Sequence, residues 1–189
     1  MAVQPSPSPA PRESSSLNWP NRITLVRIFL VPILLVFLMS PRGWYPLLAT
    51  AVFLLAAFTD WLDGHLARST NQITRLGQLL DPIADKLLVT AALVSLVGRQ
   101  QVPAWMVAIL LCRELAVTGL RALAAEKHLI IAAETMGKYK MLALVVGSAL
   151  LMVNVPLLQL PGLLVLGIGL VLSVASGVDY LRKYLAKVL

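Results

Sequence analysis

Apolar residues run along this chain in six blocks, separated by short polar or Pro- and Gly-bearing breaks. The blocks fall at about 23–39, 45–66, 78–98, 103–124, 138–155 and 160–181. The breaks are Ser40-Pro41-Arg42-Gly43, Arg68–Arg75, Arg99–Pro103, Ala125–Gly137 and Asn154–Pro161. An α-helix rises 1.5 Å per residue, so roughly 20 apolar residues cross the hydrocarbon layer of a bilayer. The pattern therefore predicts an all-α integral membrane protein of six transmembrane helices. The first block is short, which implies little tilt or an interfacial helix over Leu17–Arg22 ahead of it.

Composition supports that reading and excludes a soluble domain: 58% of the 189 residues are hydrophobic and 13% are charged. Residues 1–16, MAVQPSPSPAPRESSS, are rich in Pro and Ser. They are expected to be a disordered tail, and they lack the charged-then-apolar order of a secretory signal. Residues 17–189 form the expected single membrane domain. The net charge of +7 is no nucleic-acid signal, because the basic residues flank the apolar blocks. With the N-terminus inside, the outer side carries only Arg42 and Arg99, and the other fourteen of sixteen Lys and Arg lie at or near the inner side. Both termini are then cytoplasmic. Cys112 is the single cysteine, so an intrachain disulfide is excluded, and its apolar surroundings suggest a buried, inert thiol. Trp19, Trp44, Trp61 and Trp105 fall near block ends, as interfacial anchors do.

Against this background, DWLDGHLARSTNQITRLGQLLDPIAD, residues 60–85, stands apart. It holds four of the nine acidic residues of the chain. One Asp at the centre of a membrane helix costs roughly 2.5–3.5 kcal/mol, so four require compensation. Asp60 and Asp63 are three apart and share a helix face with Gly64 and Ala67; Gly77, Asp81 and Asp85 recur every four residues on another. Two neighbouring antiparallel helices joined by about ten residues can bring these faces together. Gly64, Ala67 and Gly77 are small where a ligand or backbone must approach. An oxygen-only set of carboxylates suits hard divalent cations, Mg²⁺ or Mn²⁺; without clustered His or Cys, zinc is disfavoured. The rival readings are buried ion pairs, with Arg68 and Lys86 neutralising two of the four, or a carboxylate-lined cation transport path.

The spacing favours the first reading. Asp60, Asp63, Gly64, Ala67, Arg68, Gly77, Asp81 and Asp85 form the pattern D-x2-D-G-x2-A-R-x8-G-x3-D-x3-D. At ordinary residue frequencies it would occur by chance on the order of once in 10⁹ placements. It resembles the signature of the CDP-alcohol phosphatidyltransferase family and departs from it at no position. NWPNRITLVRIFLVP (18–32), DPIADKLL (81–88), CRELAVTGLR (112–121) and MGKYKM (136–141) extend the resemblance over nearly the whole chain, Met141 standing where Thr is often found.

The resemblance implies transfer of a phosphatidyl group from CDP-diacylglycerol to sn-glycerol 3-phosphate, with release of CMP. Another acceptor alcohol, inositol phosphate or serine, is the main alternative. It implies two metal ions, Asp60 and Asp81 contacting both, Asp63 completing one shell and Asp85 the other, with Asp85 also the base. It places Gly64, Arg68 and Thr74, with the neighbouring small residues Ala67 and Gly77, around the CDP moiety, and Asn21 and Thr24 at the nucleotide side. Helix capping is the simpler role for Asn21 and Thr24. It further implies a homodimer, in a membrane expected to be a bacterial inner membrane, with the site on its cytoplasmic face.

A dianionic acceptor needs cations. Arg113 lies inside the fourth block, where an unpaired charge is costly. Lys138 and Lys140 open the fifth block and Arg182 follows the sixth. These four are the expected acceptor-phosphate residues, against the simpler role of topology-setting charge, which weighs most for Lys140 and Arg182. Glu114 is expected to bridge to Arg121, seven positions on. His65 and His128 are lone histidines with no ligand role expected.

Overall fold

The computed structural model describes residues 19–40, 43–70, 75–127 and 136–188, and describes helix side chains apart from those of 19–24, 60–70, 75–82, 85, 136 and 188. Among the described residues there are six helices and no strand: α1 Trp19–Met39, α2 Tyr45–Thr70, α3 Arg75–Gly98, α4 Ala104–Glu126, α5 Met136–Met152 and α6 Pro156–Val188. The expected tail, residues 1–16, lies outside the described residues, as do Thr74 and His128.

Helix existence and order match the hydropathy blocks; the ends differ for local reasons. The largest difference is in α6, which runs over Pro156–Val188 rather than about 160–181 and contains Pro161. Proline lacks only a donor that the first turn of a helix leaves unpaired anyway, so Pro156 starts the helix instead of breaking it. The turn before it is set by Asn154, whose φ of 60° lies in the left-handed region that Asn tolerates. Its N–H donates to Leu151 O at 3.1 Å and closes α5. The α3–α4 connection turns in the same way at Gln100, φ 59°. The Gln101 side chain joins the two turns by donating Nε2–H to Asn154 Oδ1.

Packing follows small residues. α5 packs most extensively against α6, and α1 against α3 and α2. A Cβ at Gly147 would lie 2.8 Å from the backbone N of Leu166, and one at Gly162 2.8 Å from Leu151 Cγ. Helices this close need glycine at the contact. The pairs 147 with 166 and 151 with 162 show that α5 and α6 are antiparallel. α4 runs parallel to α6, since Met106 lies by Gly167 and Arg113 by Gly177. The core is one cluster drawing on all six helices, with Leu34, Phe53, Leu93, Leu110, Leu151 and Leu166 at its centre. In α2 the core residues Ala49, Phe53 and Ala56 recur at helical spacing.

Large apolar side chains are exposed on every helix. Phe29 on α1, Leu55 on α2, Val94 on α3, Leu115 on α4, Leu142 on α5 and Val171 on α6 are all exposed. Among the described residues one helix, α6 over Pro156–Lys187, is long and apolar enough to cross a bilayer; shorter apolar stretches lie at Leu25–Met39, Tyr45–Thr59 and Lys86–Gly98. Cys112 is exposed, which corrects the expectation of a buried thiol. Helix α4 is apolar on several sides, so periodicity could not tell its packed face from its outer face. Trp44 and Trp105 are exposed at the starts of their segments, as anchors should be; the side chains of Trp19 and Trp61 lie outside the described ones.

Candidate active site

The backbone places Asp60 and Asp63 in the second half of α2, and Asp81 and Asp85 in the first half of α3. Both pairs flank the 71–74 connection, and both lie within continuous helix, so the three- and four-residue spacings do place each pair on one helix face. Gly64, Ala67 and Arg68 share α2, and Gly77 lies in the first turn of α3. The side chains of these residues, and of Asn21 and Thr24 in α1, lie outside the described ones. Among the described residues no group of three or more His, Cys, Asp and Glu gathers as a metal site would. The chemistry of the motif's donor set, four carboxylates without thiol or imidazole, fits a hard divalent cation.

The expected acceptor residues are described in detail. Arg113 is largely buried and each of its three nitrogens donates within the protein. Nε donates to Ser173 O at 2.6 Å, Nη2 to Ser176 Oγ at 2.6 Å, and Nη1 to Glu114 Oε1 at 2.9 Å. Lys140, 7% exposed, donates to the same Glu114 oxygen. One carboxylate on α4 thus binds a neighbouring guanidinium and an ammonium from α5. Gly177 makes this geometry possible: a Cβ there would lie 3.0 Å from Arg113 Nε and 3.2 Å from its Cγ.

Two further cations surround the group. Lys86, next to Asp85 on α3, donates to Thr118 Oγ1, which in turn donates to Glu114 O at 2.6 Å. Lys86 also lies within electrostatic reach of Glu114, and Arg121 within reach of Lys140. Arg121 does not bridge to Glu114 as expected. Its guanidinium sits over the Tyr180 ring, 5.6 Å from the centroid. The i, i+7 spacing set Glu114 and Arg121 on one face, yet two helical turns is about 10 Å, whereas Arg113 and Lys140 are in direct contact. Lys138 and Arg182 are exposed and stand outside the set of residues bonded to Glu114.

The structure therefore brings Arg113 and Lys140 together and adds Glu114, Ser173, Ser176 and Lys86. Among the described residues, four cations, Arg113, Lys140, Lys86 and Arg121, lie around the Glu114 carboxylate.

A protein-family model described as CDP-alcohol phosphatidyltransferase matches residues 17–177. The chain belongs to that family: it is a phosphatidyltransferase, an enzyme of phospholipid biosynthesis. Its similarity is to enzymes named CDP-diacylglycerol--glycerol-3-phosphate 3-phosphatidyltransferase. The one from Bacillus subtilis is 43% identical over 182 residues, 88% of this chain and 94% of the relative. That from Haemophilus influenzae is 36% identical over 174 residues, 87% and 92% of the two chains. That from Salmonella choleraesuis is 40% identical over 141 residues, 71% and 76%. Enzymes of the family are membrane-associated and generally need a divalent metal ion.

Proposed function

We propose that the chain transfers the phosphatidyl group of CDP-diacylglycerol to the 1-hydroxyl of sn-glycerol 3-phosphate, giving phosphatidylglycerophosphate and CMP. The observation that carries this reading is the 43% identity to the Bacillus subtilis enzyme of that name across 94% of its length. The positive site around Arg113 and Lys140 supports it, because sn-glycerol 3-phosphate is the anionic partner such a site would hold.

In the reaction the acceptor oxygen bonds to the lipid phosphorus and the bond from that phosphorus to the CMP oxygen breaks. Asp60, Asp63, Asp81 and Asp85 would hold two divalent cations, Mg²⁺ or Mn²⁺. When bound these supply charge neutralisation for the diphosphate and the departing CMP. Asp85 takes the hydroxyl proton. A carboxylate of ordinary pKa about 3.9 is a weak base for an alcohol, so orientation of that hydroxyl must provide much of the rate. Arg113 and Lys140 supply it by holding the acceptor phosphate. Lys138 and Arg182, exposed, draw the anion in from solvent. Arg68 binds donor phosphate, Thr74 donates a hydroxyl to the CDP moiety, and Gly64, Ala67 and Gly77 leave room for it. Asn21 and Thr24 close the nucleotide side.

Six spans with both termini cytoplasmic best accommodate the exposed apolar side chains on every helix. A soluble monomer rarely exposes continuous apolar patches beyond about 300–600 Å². The placement of Lys and Arg supports a cytoplasmic-facing active site, and the bacterial relatives support a bacterial inner membrane as its location. The enzyme works as a homodimer. An acceptor survey on purified protein tests the assignment. Turnover should require sn-glycerol 3-phosphate; preference for inositol phosphate or serine would overturn the acceptor and leave the transfer chemistry standing.

A further inference from the structure

We propose that Glu114 is a positioning residue that holds Arg113 and Lys140 at one point and so sets the affinity for the acceptor phosphate. The proposal rests on the function proposed above. Arg113 and Lys140 come from different helices and repel each other; an acceptor dianion would bind them best if they were already together. Glu114 Oε1 is where they meet. Arg113 has two other anchors on α6, Ser173 O and Ser176 Oγ, whereas the described hydrogen bond of the Lys140 ammonium is the one to Glu114. Lys140 is thus the member whose place depends most on this carboxylate.

Glu114 acts against the site in one respect, because a negative charge near the acceptor phosphate lowers the attraction. Two features decide for net support. First, among the described residues Arg113, Lys140, Lys86 and Arg121 outnumber the Glu114 carboxylate, so an ionised Glu114 does not cancel their charge. Second, two buried cations held in register avoid the ordering cost that a ligand would otherwise meet on binding. Glu114 is also tied into α4 and α3: its backbone carbonyl accepts from Thr118, whose hydroxyl accepts from Lys86, the residue after Asp85. The α4 backbone that bears Glu114 is thereby tied to the helix that bears the proposed base.

The test is steady-state kinetics of Glu114→Gln with each substrate varied in turn. The amide keeps the shape and one acceptor oxygen but removes the charge. The expected result is an acceptor KM raised about tenfold or more, with kcat within about threefold and the KM for CDP-diacylglycerol within about twofold of wild type. An unchanged acceptor KM overturns the role. A lower one makes Glu114 a competitor of the acceptor, which also overturns it. Equal rises in both KM values indicate a general structural role and do the same. Should Glu114→Gln fail to accumulate, Glu114→Asp keeps the charge but shortens the reach. An acceptor KM raised at least about threefold at unchanged CDP-diacylglycerol KM supports positioning, and an unchanged one ends it. The wild type is first offered sn-glycerol 3-phosphate, inositol phosphate and serine. Preference for inositol phosphate would fail the substrate assignment alone, and the variants are then compared on that acceptor. Preference for serine, which carries no phosphate, would end both.

Discussion

The two ends of this helical bundle hold their connections together by different means. At one end the α3–α4 and α5–α6 turns are joined by an amide-to-amide hydrogen bond, Gln101 to Asn154, with left-handed backbone at Gln100 and Asn154. Toward the other, α3, α4, α5 and α6 are joined through Lys86, Glu114, Lys140, Arg113 and Ser176, nearly all charged. Neutral hydrogen bonds suffice to fix a turn. Charges brought this close must offset desolvation and mutual repulsion, and that is costly for structure alone. The charged end is where chemistry is to be expected, and the motif aspartates of α2 and α3 flank a connection that is not at the turn end.

That contrast can be broken most forcefully at the carboxylates. Asp85→Asn should lower turnover by at least about 10², as loss of a positioned base does, while CDP-diacylglycerol binding is largely kept. Asp60→Asn and Asp81→Asn should impair both turnover and binding. Near-normal turnover of the Asp85 variant would remove it from the base role. Next in size is Arg113→Ala. Loss of a charged, hydrogen-bonded contact of roughly 2–5 kcal/mol should raise the acceptor KM on the order of 30-fold or more. The CDP-diacylglycerol KM should change little, and Arg113→Lys should recover part of the loss, since an ammonium lacks the planar fork.

A smaller effect probes the close approach that lets Arg113 reach α6. Gly177→Ala places a methyl 3.0 Å from Arg113 Nε and must push the side chain aside. We expect an acceptor KM raised severalfold, together with some loss of thermal stability in detergent, because a largely buried arginine is pushed off its anchors on α6. The mildest change belongs to the turn end. Asn154→Ala removes the acceptor for Gln101 and leaves alanine in left-handed backbone, costing about 1–2 kcal/mol. Its midpoint of thermal inactivation should fall while both KM values stay at wild type. A raised acceptor KM here would show that the two ends are not separable.

The same contrast explains what the sequence disclosed. Six helices were legible because each apolar block is continuous and each break local; the ends were less so, since Arg68, Arg75, Gly137 and Pro161, all read as break residues, lie inside helices and α6 runs on to Val188. The aspartate motif was legible because it spans 26 residues with the helical period built in. The basic site was half legible. Arg113 stood out as a charge with no apolar reason to be there. Its partners Ser173 and Ser176 lie 60 and 63 residues away, and Glu114 meets Lys140 across 26 residues. No periodicity within one helix encodes which faces of α4, α5 and α6 will meet. Cys112 was misplaced for the same reason: a helix apolar on several sides does not mark its own interior.

The most direct measurement is release of CMP from CDP-diacylglycerol by the purified protein in detergent, with and without sn-glycerol 3-phosphate and with and without chelator. CMP release is predicted to require the acceptor, to cease when divalent metal is verifiably removed, and to return on adding Mg²⁺ or Mn²⁺. Full turnover in excess EDTA with metal removal verified, or no acceptor-dependent CMP release under metal-replete conditions, would contradict the account.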